Sequence, residues 1–223
     1  MAVADDDSDG GTTDVVATDG RVIGRRAIQT RRRILDATAA LLRQQGALDL
    51  KVIDVAREVG ASPATFYQYF ADVEDAIFCL AGELVERVPE FAGRIGSGWS
   101  EDDGLDQARR LVADYTRFWD DHGAVLRIMH LRADELDPRF RRVRHDYNEG
   151  FMVAMVTVVR EAETAGRLPG VMDPDATAGA MLAVLDRVPS YREAFERRGT
   201  SREAMVETIA RVLHTTLTGH PST

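Results

Sequence analysis

Between Lys51 and Phe70 the chain has room for two short helices and one tight turn, and little else. Val52, Val55, Ala56 and Val59 fall on one side of a helix predicted over Lys51 to Val59. Gly60 makes the turn. Ser62 suits the cap of the next helix and Pro63 its first position. Phe66 and Phe70 stand four apart, on one face of that helix. Thr65, Tyr67, Gln68 and Tyr69 are left pointing elsewhere. A short helix anchored by two phenylalanines, with hydroxyls and an amide on its other side, suits the floor of a DNA groove.

A longer helix is predicted upstream, over Ala27 to Gln45. Ile28, Ile34, Leu35, Ala37, Leu41 and Leu42 recur there close to the helical period, and Gly46 stops it. Helix, helix, glycine turn, short helix is the helix-turn-helix arrangement, whose last helix enters the major groove.

Three segments carry a resemblance. They are Arg33-Ile34-Leu35-Asp36-Ala37-Thr38, then Val52-Ile53-Asp54-Val55-Ala56-Arg57-Glu58-Val59-Gly60, then Ser62 to Phe70. In their combined spacing, residues from about 25 to 80 resemble the DNA-binding domain of the tetracycline-repressor (TetR) family of bacterial transcriptional regulators. The resemblance implies an all-α fold, with an N-terminal three-helix DNA-binding domain over 25–72 and an all-helical ligand-binding and dimerisation domain over 73–223. It also implies a homodimer on double-stranded DNA, an inverted-repeat operator, and an effector in the second domain. Two positions depart from the family pattern. A Ser or Thr usually opens the second helix, where this chain has Lys51. A Lys, resembling a phosphate anchor, usually stands where this chain has Val73. Lys51 offers a replacement cation.

The formal charge of −9 fits a DNA binder only once it is divided along the chain. Residues 1–20 hold six Asp and no Lys or Arg, whereas residues 21–72 hold nine Lys and Arg against five Asp and Glu. The basic excess sits where phosphates would be, and phosphate neutralisation supplies most non-specific affinity. Phosphate contacts are expected from Arg25, Arg26, Arg31, Lys51 and Ser62. Pro63, Ala64, Thr65, Tyr67, Gln68 and Tyr69 are expected along the groove, with Gln68 at a base edge. Arginines crowding a helix N-terminus oppose its dipole, so a compensating anion is expected nearby. Residues 1–24 have no hydrophobic period and read as a disordered acidic tail ending in a basic arm. With no long apolar run and no signal peptide, the chain reads as cytoplasmic, with no membrane partner.

Helix punctuation recurs after Val73. Ser100-Glu101-Asp102-Asp103 reads as a cap and acidic first turn, opening a helix that Gly123 ends, and a short helix follows from Val125 to about Ala133. Asp137-Pro138 and Asp173-Pro174 open two more, and Thr200-Ser201-Arg202-Glu203 reads as a capping box for the last. From Phe151 to Val159 the chain is apolar nearly all round, so that helix is buried on more than one side. Tyr115, Phe118, Trp119, Met129, Tyr147, Phe151, Met152 and Met155 are the expected lining of a site for a small lipophilic effector. The plain alternative is a helical core. Ala176, Gly179, Ala180 and Ala183 form a small-residue face. With Met205, Ile209 and Leu213 of the last helix, that face is the expected dimer interface.

Enzymatic signals are weak. The histidines lack zinc-ligand spacing, Cys79 lies in an apolar stretch, and no phosphate loop or nucleophile elbow is present. No cofactor, metal or catalytic residue is expected. The competing function is an effector-independent DNA-architectural protein.

Overall fold

The computed structural model describes residues 24–45, 50–100, 102–168, 170 and 172–220. Residues 1–23 of the expected tail and basic arm, the stop at Gly46, and Glu101 of the expected acidic turn lie outside them. The described residues form α-helices with no strand: α1 (Arg25–Gln45), α2 (Val52–Glu58), α3 (Pro63–Tyr67), α4 (Val73–Val85), α5 (Val88–Ala92), α6 (Gly104–Asp134), α7 (Pro138–Thr164), α8 (Pro174–Arg187), α9 (Arg192–Glu196) and α10 (Arg202–Thr218). None of them is long and apolar enough to cross a membrane.

Short polar residues set the helix starts. Ser62 Oγ accepts from the Thr65 N–H at 3.2 Å, and Asp72 from the Asp75 N–H at 2.8 Å. Asp137 and Asp173 cap α7 and α8, each followed by a proline that lacks the N–H the helix start would leave unpaired. Lys51 stands at the cap of α2, but an ammonium has no lone pair to offer there. Asp54 instead takes the Lys51 backbone N–H at 3.3 Å. Gly60 follows α2 at φ 65°, a left-handed conformation that turns the chain into α3.

Three expected boundaries are corrected. Gly123 does not end a helix, because α6 runs unbroken through it. A Cβ at Gly123 would lie 2.8 Å from Trp119 Cε3, so the glycine makes room for an indole one turn back. Ser100 does not cap α6. It closes a 3-10 turn over Ser97–Ser100, and α6 begins at Gly104, directly against the Trp99 carbonyl. The last helix is capped by Ser201, whose Oγ accepts from Ala204 N–H at 3.1 Å, one residue later than the predicted box.

One continuous apolar core joins all of this. Ile34, Leu35, Val55, Phe66 and Phe70 bury one face of α1–α3, and Ile77, Leu80 and Leu84 of α4 extend the core into α6, α7, α8 and α10. Helix α4 also carries ion pairs in both directions. Glu83 holds Arg32 of α1 at 2.8 Å, while Glu74 holds Arg132 of α6 at 2.7 Å and Arg139 of α7 at 3.2 Å.

Candidate nucleic-acid interface and buried polar core

Two phenylalanines and one arginine seat α3. Phe66 and Phe70 are fully buried, with ring centroids 5.6 Å apart. Arg33 reaches from α1 to donate to the Val59 carbonyl at 2.6 Å, a cation at the C-terminal end of α2 where the dipole favours it. The outward side of α3 carries Pro63, Ala64, Tyr67 and Gln68, all exposed, with Tyr67 edge-on to Phe66. Thr65 is half-buried, and its hydroxyl shares a 3.1 Å hydrogen bond with Ser62 Oγ. Tyr69 is half-buried and packs on the core, so its ring is only partly available to a groove. Lys51 is exposed, and lines with Tyr67 a groove between α2, α4 and α6 of about 880 Å3.

The arginines of α1 divide. Arg25 and Arg26 are exposed at its start. Arg32 is held by Asp36 at 2.6 Å as well as by Glu83, which supplies the compensating anions. Arg31, expected at a phosphate, also has partners within the chain. Its guanidinium lies 5.1 Å over the Phe70 ring, and Nη2 donates to Cys79 Sγ at 3.3 Å. A guanidinium stacks well on an aromatic face, so Arg31 braces α1 against α3 and α4. Burial pushes the Cys79 thiol up, which keeps it protonated and core-like.

The expected effector lining closes on itself. Tyr115, Phe118, Trp119, Met129, Tyr147, Phe151 and Met155 are all buried. Phe91 and Phe151 both meet the Tyr115 ring edge-on, at 5.4 and 5.6 Å. These seven form packed core. Of the eight, Met152 alone lines an open cleft of about 440 Å3 between α6, α7 and α8, together with His130, Arg144, Leu182 and Asp186.

Asp186 was missed in the sequence, and it organises this core. The Tyr115 hydroxyl donates to Asp186 Oδ1 at 2.8 Å, and the Trp119 indole N–H points at the same oxygen from 3.3 Å. Tyr115 has one proton, so its oxygen accepts from Tyr147 at 2.7 Å. His130 Nε2 lies 2.9 Å from Oδ2, close enough for an ion pair but off the line of a hydrogen bond. Burial holds both tyrosine hydroxyls well above the usual phenol range, helped at Tyr115 by Tyr147 and then Asp186, and at Tyr147 by the negative charge of Asp186. They remain donors at any working pH. The signal was present: Asp186 falls four residues after Leu182 and eight after Ala178, on the buried face of α8.

The expected dimer residues also divide. Ala176, Ala180 and Ala183 are exposed and Gly179 half-exposed, so the small-residue face of α8 is open. Met205, Ile209 and Leu213 are buried within the chain, where α10 packs on α6 and α8, and are corrected to core. The outward stripe of α10 is Ala204, Thr208, Val212 and Thr215.

Residues 92–223 match the tetracyclin repressor-like C-terminal domain, and residues 34–75 match bacterial regulatory proteins of the tetR family. A search of curated proteins finds no match. Among solved structures, a TetR transcription regulator from Haloarcula marismortui is 17% identical with a TM-score of 0.63, covering 85% of this chain and 96% of that one. The fatty acid degradation regulator FadR from Bacillus halodurans is 18% identical at 0.58, covering 89% and 97%. FadR from Bacillus subtilis, solved with stearoyl-CoA, is 15% identical at 0.58, covering 85% and 98%. At these identities the likeness is one of fold. The family match spans most of the chain at both ends, on a helix-turn-helix joined to an all-helical bundle: this protein belongs to the TetR family of bacterial transcriptional regulators.

Proposed function

We propose that this chain is a dimeric, ligand-responsive repressor. Residues 25–72 read an inverted-repeat operator, and residues 73–223 carry the effector site and the dimer face. The seating of α3 supports this most directly. Phe66 and Phe70 fix the helix from below, while Tyr67 and Gln68 stand in solvent on the other side. Gln68 is the base reader, its amide matched to an adenine edge. Arg25, Arg26, Lys51 and the Ser62 end of α3 meet phosphates and set the register.

The dimer forms through the alanine face of α8 and the outward stripe of α10. Small side chains let two such helices approach closely. The effector is a small, largely apolar molecule. The apolar wall that Met152 and Leu182 give the cleft between α6, α7 and α8 supports this, as does the stearoyl-CoA bound to one structural relative. Ligand and DNA are coupled through α4, whose Glu83 and Glu74 pair with helices on either side. Release from DNA needs an effector that binds the DNA-incompetent form more tightly, since equal affinity shifts nothing.

Selection from a random duplex library tests the assignment. The enriched sequences should form an inverted repeat, with half-sites about one helical turn, 34–36 Å, or a multiple of it apart. Enrichment of a lone half-site would remove the dimeric operator, and absence of enrichment would leave only an architectural binder.

A further inference from the structure

The cleft between α6, α7 and α8 ends on a buried carboxylate. The Asp186 side chain is 7% exposed, yet it forms part of the cleft wall. Its two oxygens differ. Oδ1 takes the hydroxyl of Tyr115 and the indole of Trp119. Oδ2 has His130 Nε2 at 2.9 Å, close enough for an ion pair but not aligned as a hydrogen bond. One oxygen of a buried anion therefore keeps acceptor capacity that no aligned donor fills. Burying a carboxylate is costly unless it is both paired and hydrogen-bonded.

The cations of the cleft do not repair this. Arg144 is paired with Asp134, and Arg187 is exposed at the rim. Met152 and Leu182 give the cleft apolar side walls, and Gly179 and Ala183 at its edge also belong to the α8 face proposed for the dimer.

We propose that this cleft binds a small organic ammonium ion, with its N–H groups donated to Asp186 Oδ2 and its apolar portion against Met152 and Leu182. This rests on the assignment of the C-terminal bundle as an effector domain, and it names the effector's polar end. An ammonium supplies the missing hydrogen bond in the charge-assisted form that is strongest. A neutral alcohol supplies only the weaker, neutral form. A carboxylate would meet Asp186 charge to charge. The cleft's size, about 440 Å3, is that of a small-molecule site.

The test is a thermal-shift titration of the full chain with three probes that share one ring and nearly one length: 2-phenylethylamine, 2-phenylethanol and 3-phenylpropanoate. The amine alone should raise the Tm, with stabilisation growing as the logarithm of its concentration once the site is saturated. Asp186→Asn keeps the volume and an acceptor for Tyr115 but loses the charge, and should abolish the shift. Should that variant fold poorly, Met152→Trp blocks the cleft from a half-buried position and should abolish it too. An equal shift from the alcohol or the carboxylate overturns the ammonium site, as does an undiminished response in Asp186→Asn or Met152→Trp. DNA affinity measured with and without the amine separates the two levels. Amine binding through Asp186 with unchanged DNA affinity would support the site and remove its regulatory role. Sequence-specific DNA binding without any amine response would do the reverse.

Discussion

The Tyr115 hydroxyl donates to Asp186 Oδ1 at 2.8 Å, joining α6 to α8 at the centre of the bundle. Removing the acceptor leaves the Trp119 N–H and one of the two tyrosine hydroxyl protons buried without a partner, which is costlier than losing one bond of a chain. Asp186→Ala should destabilise by on the order of 3 kcal/mol, and Tyr147→Phe by about 1 kcal/mol. Urea titrations with matched m-values measure both. Equal losses would mean that the carboxylate is not the hub.

Gly123 offers a test of sign. Alanine at an interior helical glycine normally stabilises by up to about 1 kcal/mol. Here the new methyl would sit 2.8 Å from the Trp119 ring and 3.3 Å from Arg127 Nη1. Gly123→Ala should therefore destabilise, by about 1–3 kcal/mol, the usual cost of overpacking. A raised Tm would show that the indole moves aside freely.

Anchoring and reading by α3 separate by mutation. Phe66 is fully buried, so Phe66→Ala should cost about 3–5 kcal/mol of stability and abolish DNA binding with it. Gln68 is exposed, so Gln68→Ala should leave the Tm unchanged and relax sequence preference at one operator position by about 1–3 kcal/mol. An unchanged preferred sequence would remove Gln68 from the readout.

Acid sensitivity should come first from histidine. His214 bonds the Trp99 carbonyl through Nε2, and burial holds its pKa below the ordinary 6.5. Within that window the unfolded chain binds the proton and the folded chain does not, so stability rises with pH up to about 6.5 and is flat above. His122 is lowered by burial in the same direction. Glu207, paired with Arg109, is lowered to about 2, so its contribution is present above 4.5 and lost only as pH falls toward 2. The Tm should hold near pH 7–8 and fall below about 6.5. His214→Gln, which can still donate to Trp99, should flatten that fall. An unchanged slope would assign the sensitivity elsewhere.

Local chemistry was legible in the sequence and long-range partnership was not. Ser62, Asp137 and Asp173 announce their helices because a cap acts on N–H groups two or three residues away. Phe66 and Phe70 announce the buried face of α3 because their spacing is one helical turn. Gly123 misled because a glycine in a helix marks either an end or a clearance, and only the position of Trp119 decides. Met205, Ile209 and Leu213 misled because an apolar stripe has the same spacing whether it meets its own core or a second chain. Arg31 and Asp186 depend on Phe70, Cys79, Tyr115 and Trp119, residues dozens of positions distant, and no local pattern joins them.

A competition footprint on the chain's own promoter region, against random duplex at physiological salt, tests the central assignment most directly. A regulator built on this α3 should protect one inverted-repeat site and prefer it over random duplex by roughly 10³ or more. Uniform protection along any DNA, with equal affinity for both, would contradict it.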